Sequence, residues 1–221
     1  MTLFDDPDKL TGAPAPIPDR LSVKAMREAV QECRACELWE GATQAVMGGG
    51  PHPGKARLML VGEQPGDRED IEGKPFVGPA GRVLDDGLER AGIARDDAYV
   101  TNVVKHFRYK LRGKRRIHQT PDRIHVTACR PWLDAERALV EPEALVCLGA
   151  TAAQALLGSS IRIGRDRGRP MDSDLADLVL VTAHPSAILR QRGDQERTAA
   201  MDDFVADLET VAKWLAERAA S

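Results

Sequence analysis

A chain of 221 residues and 24.1 kDa is long enough to bury the core of one compact domain. Its 34 acidic and 31 basic residues leave a formal charge of −3, which excludes a uniformly basic coat for nucleic acid but not a local patch. At 43% hydrophobic and 29% charged residues, disorder throughout is excluded, and no apolar run approaches the roughly 20 residues of a membrane span.

The opening, MTLFDDPDKL, lacks the basic and apolar regions of a secretory signal, so a cytoplasmic protein without membrane attachment is expected. Residues 1–20 hold four of the fourteen prolines and no apolar period, and read as a flexible tail ahead of a single domain over 21–221. From Leu21, apolar residues at Val23, Ala25, Met26 and Val30 predict a helix running towards Cys33. A Gly/Pro-rich connector, GGGPHPGKA, ends at Ala56. Four near-continuously apolar runs follow, at 57–62, 98–104, 144–149 and 178–183, as expected of strands buried on both faces. Helical periodicity fills the gaps at 81–92, 150–157 and 198–219. Another helix opens at Thr120-Pro121-Asp122, with Thr120 as N-cap and Pro121 in the first turn. The alternation predicts one three-layer α/β/α domain with a central, mainly parallel four-stranded sheet. Ligands of such sheets sit beyond the carboxyl ends of the strands, so the segments after Val61, Val104, Leu148 and Val181 are the informative ones.

After the first strand, GEQPGDRED and EGKPFVGPAG make two bends from Gly62 onward that let backbone N–H groups approach a ligand. Glu63, Gln64 and Asp67 are expected to project into the crevice, and Phe76 offers a flat apolar face; the alternative is a polar loop that Phe76 anchors to the core. After the second strand, residues 105–130 carry nine basic residues against Asp122 alone. With Phe107 and Tyr109 interleaved, the segment reads as a phosphate-contacting loop rather than a solvated charge run. Within it, His118 lies beside Arg115 and Arg116, whose charge favours the neutral, nucleophilic imidazole. After the fourth strand, His184 can donate an N–H into the crevice, and Ser186 is a candidate N-cap. Cys33 and Cys36 form a CxxC pair, with Cys129 and Cys147 far downstream. Such a set suits zinc or an iron–sulfur cluster, and its scattered spacing favours the cluster.

Taken in order, the CxxC, GEQPGD, PFVGPAGR, TNVVKHF, ACRPWL, CLGATAA and HPS resemble the iron–sulfur uracil-DNA glycosylases of family four over roughly residues 30–215. Gln64 in place of the usual alanine, together with the loop Lys114–His118 (KRRIH), resembles the UdgX branch, which becomes joined covalently to the abasic site after excising uracil. The resemblance implies that Phe76 stacks on flipped uracil, Asn102 reads its amide edge, and His184 hydrogen-bonds O2. Gly62, Gln64, Asp67 and Ser186 complete the pocket, and Glu63 orients His118, the nucleophile towards C1′. It further implies a 4Fe-4S cluster on Cys33, Cys36, Cys129 and Cys147. DNA, single-stranded or double-stranded, would be held by Lys105, Lys114, Arg115 and Arg116, and the protein is expected to act as a monomer. The competing expectations are a hydrolytic glycosylase with turnover and a non-enzymatic iron–sulfur DNA-binding protein.

Overall fold

The computed structural model describes residues 16–51 and 56–220, so most of the expected tail and part of the Gly/Pro connector lie outside the described residues. In chain order the elements are α1 (Val23–Ala29), α2 (Leu38–Gly41), β1 (Leu58–Gly62), α3 (Asp67–Glu72), α4 (Pro79–Arg90) and β2 (Ala98–Asn102). They continue with β3 (Tyr109–Arg112), β4 (Arg115–His118), α5 (Arg123–Val140), β5 (Ala144–Leu148), α6 (Ala150–Leu157) and α7 (Ile163–Asp166). Last come β6 (Pro170–Met171), β7 (Leu178–Thr182), α8 (Pro185–Leu189) and α9 (Asp194–Ala219).

The central sheet runs β2-β1-β5-β7-β6, with the first four strands parallel. Each parallel strand is buried along its whole length because helices cover both faces. Met59 and Val61 pack with Cys129, Trp132 and Leu133 of α5 and Ala152 and Ala153 of α6. Leu58 and Leu60 point the other way, to Leu84 and Leu88 of α4 and Phe204 and Leu208 of α9. Each such side chain removed from water is worth about 1.5–3 kcal/mol before entropy is counted, which makes the layered core the main stabilising term.

The expected four strands gain a fifth, the antiparallel edge strand β6. Two residues are too few to show a period, and Pro170 is tolerated because it lies at the edge. The free edge of β2 is closed by the N-terminal segment: Gly49 and Val100 exchange both backbone hydrogen bonds, at 2.8 and 2.9 Å. The cap of α5 is Asp122 rather than Thr120, since the Asp122 N–H donates to His125 Nδ1 in the first turn. Among the described residues no helix is long and apolar enough to cross a membrane.

Candidate active site

The connection from β1 to β2 carries α4 across one face, whereas the connection from β2 to β5 carries α5 across the other. Loops leaving the carboxyl ends of β1 and β5 therefore diverge and open a crevice, as at every such switch point. A cavity of about 700 Å³ lies there. Its lining includes Glu63, Gln64, Phe76, Asn102, His118, Thr151, His184, Ser186 and Arg190. The Thr151 hydroxyl of α6 donates to Glu63 Oε2, so one hydrogen bond spans the crevice.

Gly62 and Asn102 are paired in register at the ends of β1 and β2. A Cβ on residue 62 would stand 2.4 Å from Asn102 Oδ1 and 2.7 Å from the Phe76 ring, so only glycine lets both reach the cavity. Asn102 is buried, yet among the described residues its Oδ1 has no hydrogen-bond partner. An orphaned acceptor at a cavity wall asks for a donor from a ligand. Phe76 adopts φ 55°, a left-handed conformation that costs a bulky residue about 1–3 kcal/mol and concentrates at binding sites. Its ring lies 5.9 Å from that of His184, so the two can face one planar ligand.

His184, rather than Ser186, caps α8. Its Nδ1 accepts the Ser186 N–H at 3.1 Å and lies 2.8 Å from Ser186 Oγ. Because a backbone amide can only donate, Nδ1 is unprotonated and the ring proton sits on Nε2. Burial pushes the His184 pKa down to about 4, helped by Arg190 and His118 and opposed by Glu63. The ring is a neutral donor at pH 7. Glu63 behaves oppositely: burial would raise its pKa, but hydrogen bonds from His118 and Thr151 and the electrostatic influence of the His118 and His184 rings outweigh it. The carboxyl is held below the usual value and is ionised. His118 Nε2 stands 3.3 Å from Glu63 Oε1, and its side chain is 49% exposed.

His118 does not come from a loop. Residues 109–118 form an antiparallel hairpin of β3 and β4 around a two-residue turn, Gly113-Lys114, with Gly113 at φ 61°. Alternation sorts the side chains: Tyr109, Leu111, Arg116 and His118 share one face, and Lys110, Arg112, Arg115 and Ile117 the other. Arg116 is turned to the body, where it meets Asp67 and Asp70 of α3 at 2.6 Å each, and its guanidinium lies over the Phe107 and Tyr109 rings. This corrects four expectations. Arg116 is an anchor rather than a phosphate contact, and Asp67 is its partner rather than a pocket residue. Phe107 is buried, and Tyr109 donates its hydroxyl to Gly41 O, so neither presents a free stacking surface. Gln64 lines the cavity, but its amide is spent on the hairpin base: it donates to the carbonyls of Arg108 and Gln119 and accepts from the Arg108 N–H.

Lys105 requires the largest correction. It is fully buried and touches no solvent, so it cannot contact DNA; Glu136 of α5 holds it at 2.5 Å. Lys114 and Arg115 are exposed as expected, with Lys110 and Arg112 beside them.

Cys33, Cys36 and Cys129 are brought together. Burial pushes the Cys129 thiol up to about 12, with Cys36 and Cys33 adding to it, and burial chiefly pushes Cys36 up to about 11. The Lys105 N–H donates to Cys129 Sγ at 3.4 Å. Cys147 does not join them: it sits mid-strand between Val61 and Val181, and burial alone raises its thiol. Among the described residues no group of three or more His, Cys, Asp and Glu is arranged to hold a metal ion. Buried His106 follows the residue whose amide meets Cys129, and its ring is lowered to about 4 by burial and by Arg34, which lies between the two CxxC cysteines. Neither His106 nor Thr151 was singled out from sequence, because a lone His in a basic run and a Thr in a helical turn carry no signal of their own.

A model of the uracil DNA glycosylase superfamily matches residues 50–209. A type-4 uracil-DNA glycosylase of Thermotoga maritima is 36% identical over 183 residues, covering 82% of this chain and 91% of that protein. A second, of Pyrobaculum aerophilum, is 32% identical over 191 residues, with 82% and 93% covered. A third, of Archaeoglobus fulgidus, is 33% identical over 167 residues, with 72% and 79% covered.

Proposed function

Because the chain belongs to the uracil DNA glycosylase superfamily, we propose that it excises uracil from DNA and is then joined to the abasic site through His118. The carrying observation is that one cavity holds an orphaned Asn102 Oδ1, a neutral His184 donor and a His118–Glu63 pair. A nucleotide must leave the duplex stack to reach it. The flipped base would lie against Phe76, with Asn102 Oδ1 accepting uracil N3–H and His184 Nε2–H donating to O2.

As the C1′–N1 bond breaks, its electron pair leaves with uracil, and charge gathers on O2 where the His184 donor already points. Positive charge on the sugar faces the ionised Glu63. The His118 nitrogen not facing Glu63 keeps its lone pair and forms the bond to C1′, while the proton on the other nitrogen passes to Glu63. Proximity in such intramolecular captures is worth roughly 7–11 kcal/mol, enough for imidazole to outrun water. Lys110, Arg112, Lys114 and Arg115 on the outer face and tip of the hairpin would hold the phosphates, single-stranded or double-stranded.

For the 4Fe-4S cluster the donor set fits in part. Cys33, Cys36 and Cys129 are all buried, and burial raises the Cys36 and Cys129 thiols, so that a cationic centre would be needed to hold them as thiolates. A backbone N–H already serves the Cys129 sulfur. Cys33, Cys36 and Cys129 would hold it with His106 as fourth donor, Cys147 remaining a core residue. The cluster would supply a covalent tie between the N-terminal segment and α5. The test of function is incubation with uracil DNA followed by boiling in detergent. An adduct mapped by peptide mass spectrometry to His118 is expected, with His118→Ser turning over instead. Free uracil with no adduct in the parent protein overturns the covalent step, and no released uracil overturns the glycosylase reading.

A further inference from the structure

We propose that the buried Lys105–Glu136 pair positions Asn102, and so sets the selectivity of the cavity for the uracil edge. The inference rests on the uracil-excision reading above. Lys105 and Glu136 are 1% and 0% exposed. The ammonium spends all three donors, on Glu136 Oε2 at 2.5 Å, Thr101 Oγ1 at 2.9 Å and the Asn102 carbonyl at 2.6 Å. Glu136 Oε1 accepts from the Gly48 N–H at 2.6 Å and the Tyr99 hydroxyl at 3.0 Å, and the Thr101 hydroxyl donates to the same carboxylate. No polar atom of the group is left over.

Stability does not call for such a pair, since well-packed apolar residues of the same volume serve a core equally well or better. What they could not do is grip the Asn102 carbonyl. That peptide is fixed from the far side too, because the Val103 and Val104 N–H groups donate to Gly62 O and Glu63 O. The Asn102 Oδ1, by contrast, has no partner among the described residues. Its aim is therefore inherited from the backbone, and the backbone is held by Lys105. The distinction matters because uracil presents a donor at N3 where cytosine presents an acceptor. A carboxamide free to swing or flip would lose that discrimination. Lys105 and Glu136 touch no substrate; they are positioning residues acting through Asn102.

The test is a double-mutant cycle on the full-length protein with uracil DNA under single-turnover conditions. Lys105→Met with Glu136→Met removes both charges together and leaves no buried ion unpaired. The expected result is a rate about 10–100-fold lower, the scale of an ångström's misplacement. The half-saturating DNA concentration should stay within about twofold, since the exposed cations are untouched. In an Asn102→Ala background the same double change should cost nothing further. Thr101→Val, which removes the hydroxyl bridging the pair, runs through the same cycle if the double variant does not fold. A parent that releases no uracil defeats the excision reading before the pair is tested. An active parent with variants that match it, or that lose an equal factor in both backgrounds, overturns the positioning role.

Discussion

A neutral imidazole is the useful form of His184. Its neutral Nε2–H gains strength as charge builds on O2, because a hydrogen bond to an anionic acceptor is roughly twice as strong as one to a neutral oxygen. Burial selects that form and Ser186 fixes which nitrogen carries the proton. His184→Ala is expected to slow single-turnover excision by about 10²–10³-fold, the cost of losing one preorganised donor, with little change in half-saturating DNA. A comparable loss in both parameters would show that the ring serves binding instead. The same shift has a stability consequence. The folded ring resists protonation down to about 4 while the unfolded one titrates near its ordinary value of 6.5, so the unfolded chain takes up the proton first as pH falls. Stability should therefore decline on acidification across that window, and His184→Asn should flatten the decline in urea melts taken from pH 7 to 4.

The hairpin is an element with two unlike faces. Arg115 and Arg116 are neighbours in sequence and lie on opposite sides of it, one towards solvent, the other locked to Asp67 and Asp70. Their alanine variants should consequently fail differently. Arg115→Ala should lower the log–log salt slope of DNA binding by about 0.9, or about 0.7 on single strands, and leave adduct formation at saturating DNA unchanged. Arg116→Ala should leave the slope and slow the adduct, because β4 carries His118 two residues on. Equal slope losses in the two would show that both meet phosphate. The parallel strands were legible from their apolar runs because burial on both faces writes itself into every position. The hairpin was not, because its strands are only four residues long and the paired Arg115-Arg116 break the alternation in β4. Lys105 was misread for a related reason: within its own segment it is one cation among many, and the carboxylate that buries it lies 31 residues away.

Across the whole molecule, the N-terminal segment is held to the sheet body at separate points. Thr43 bonds Asp70, Gly48 bonds Glu136, and Gly49 bridges Val100. A cluster held by Cys33, Cys36 and Cys129 would add a further junction between that segment and α5. Anaerobically purified protein should be brown and contain about four iron and four sulfide per chain. Cys147→Ser should keep the colour, whereas Cys33→Ser and His106→Ala should bleach it. Bleaching by Cys147→Ser alone would restore the four-cysteine set. The CxxC pair and Cys129 were recognisable by residue type, but which further donor stands near them depends on how β2 meets α5, and that is a tertiary fact.

The long reach of these contacts also governs when the protein can come into being. Glu63 leaves the ribosome 88 residues ahead of Thr151, and Gly48 equally far ahead of Glu136; Arg57 precedes the Leu215 carbonyl it binds by 158. At about 5–20 residues per second, the first two wait roughly 4–18 seconds for their partners. For most of that interval β1 has one open edge, since β2 follows it closely but β5 has not been made. A nascent chain released early would offer that strand to other chains. The carboxylate at its tip meets its last partner only once α6 is in place.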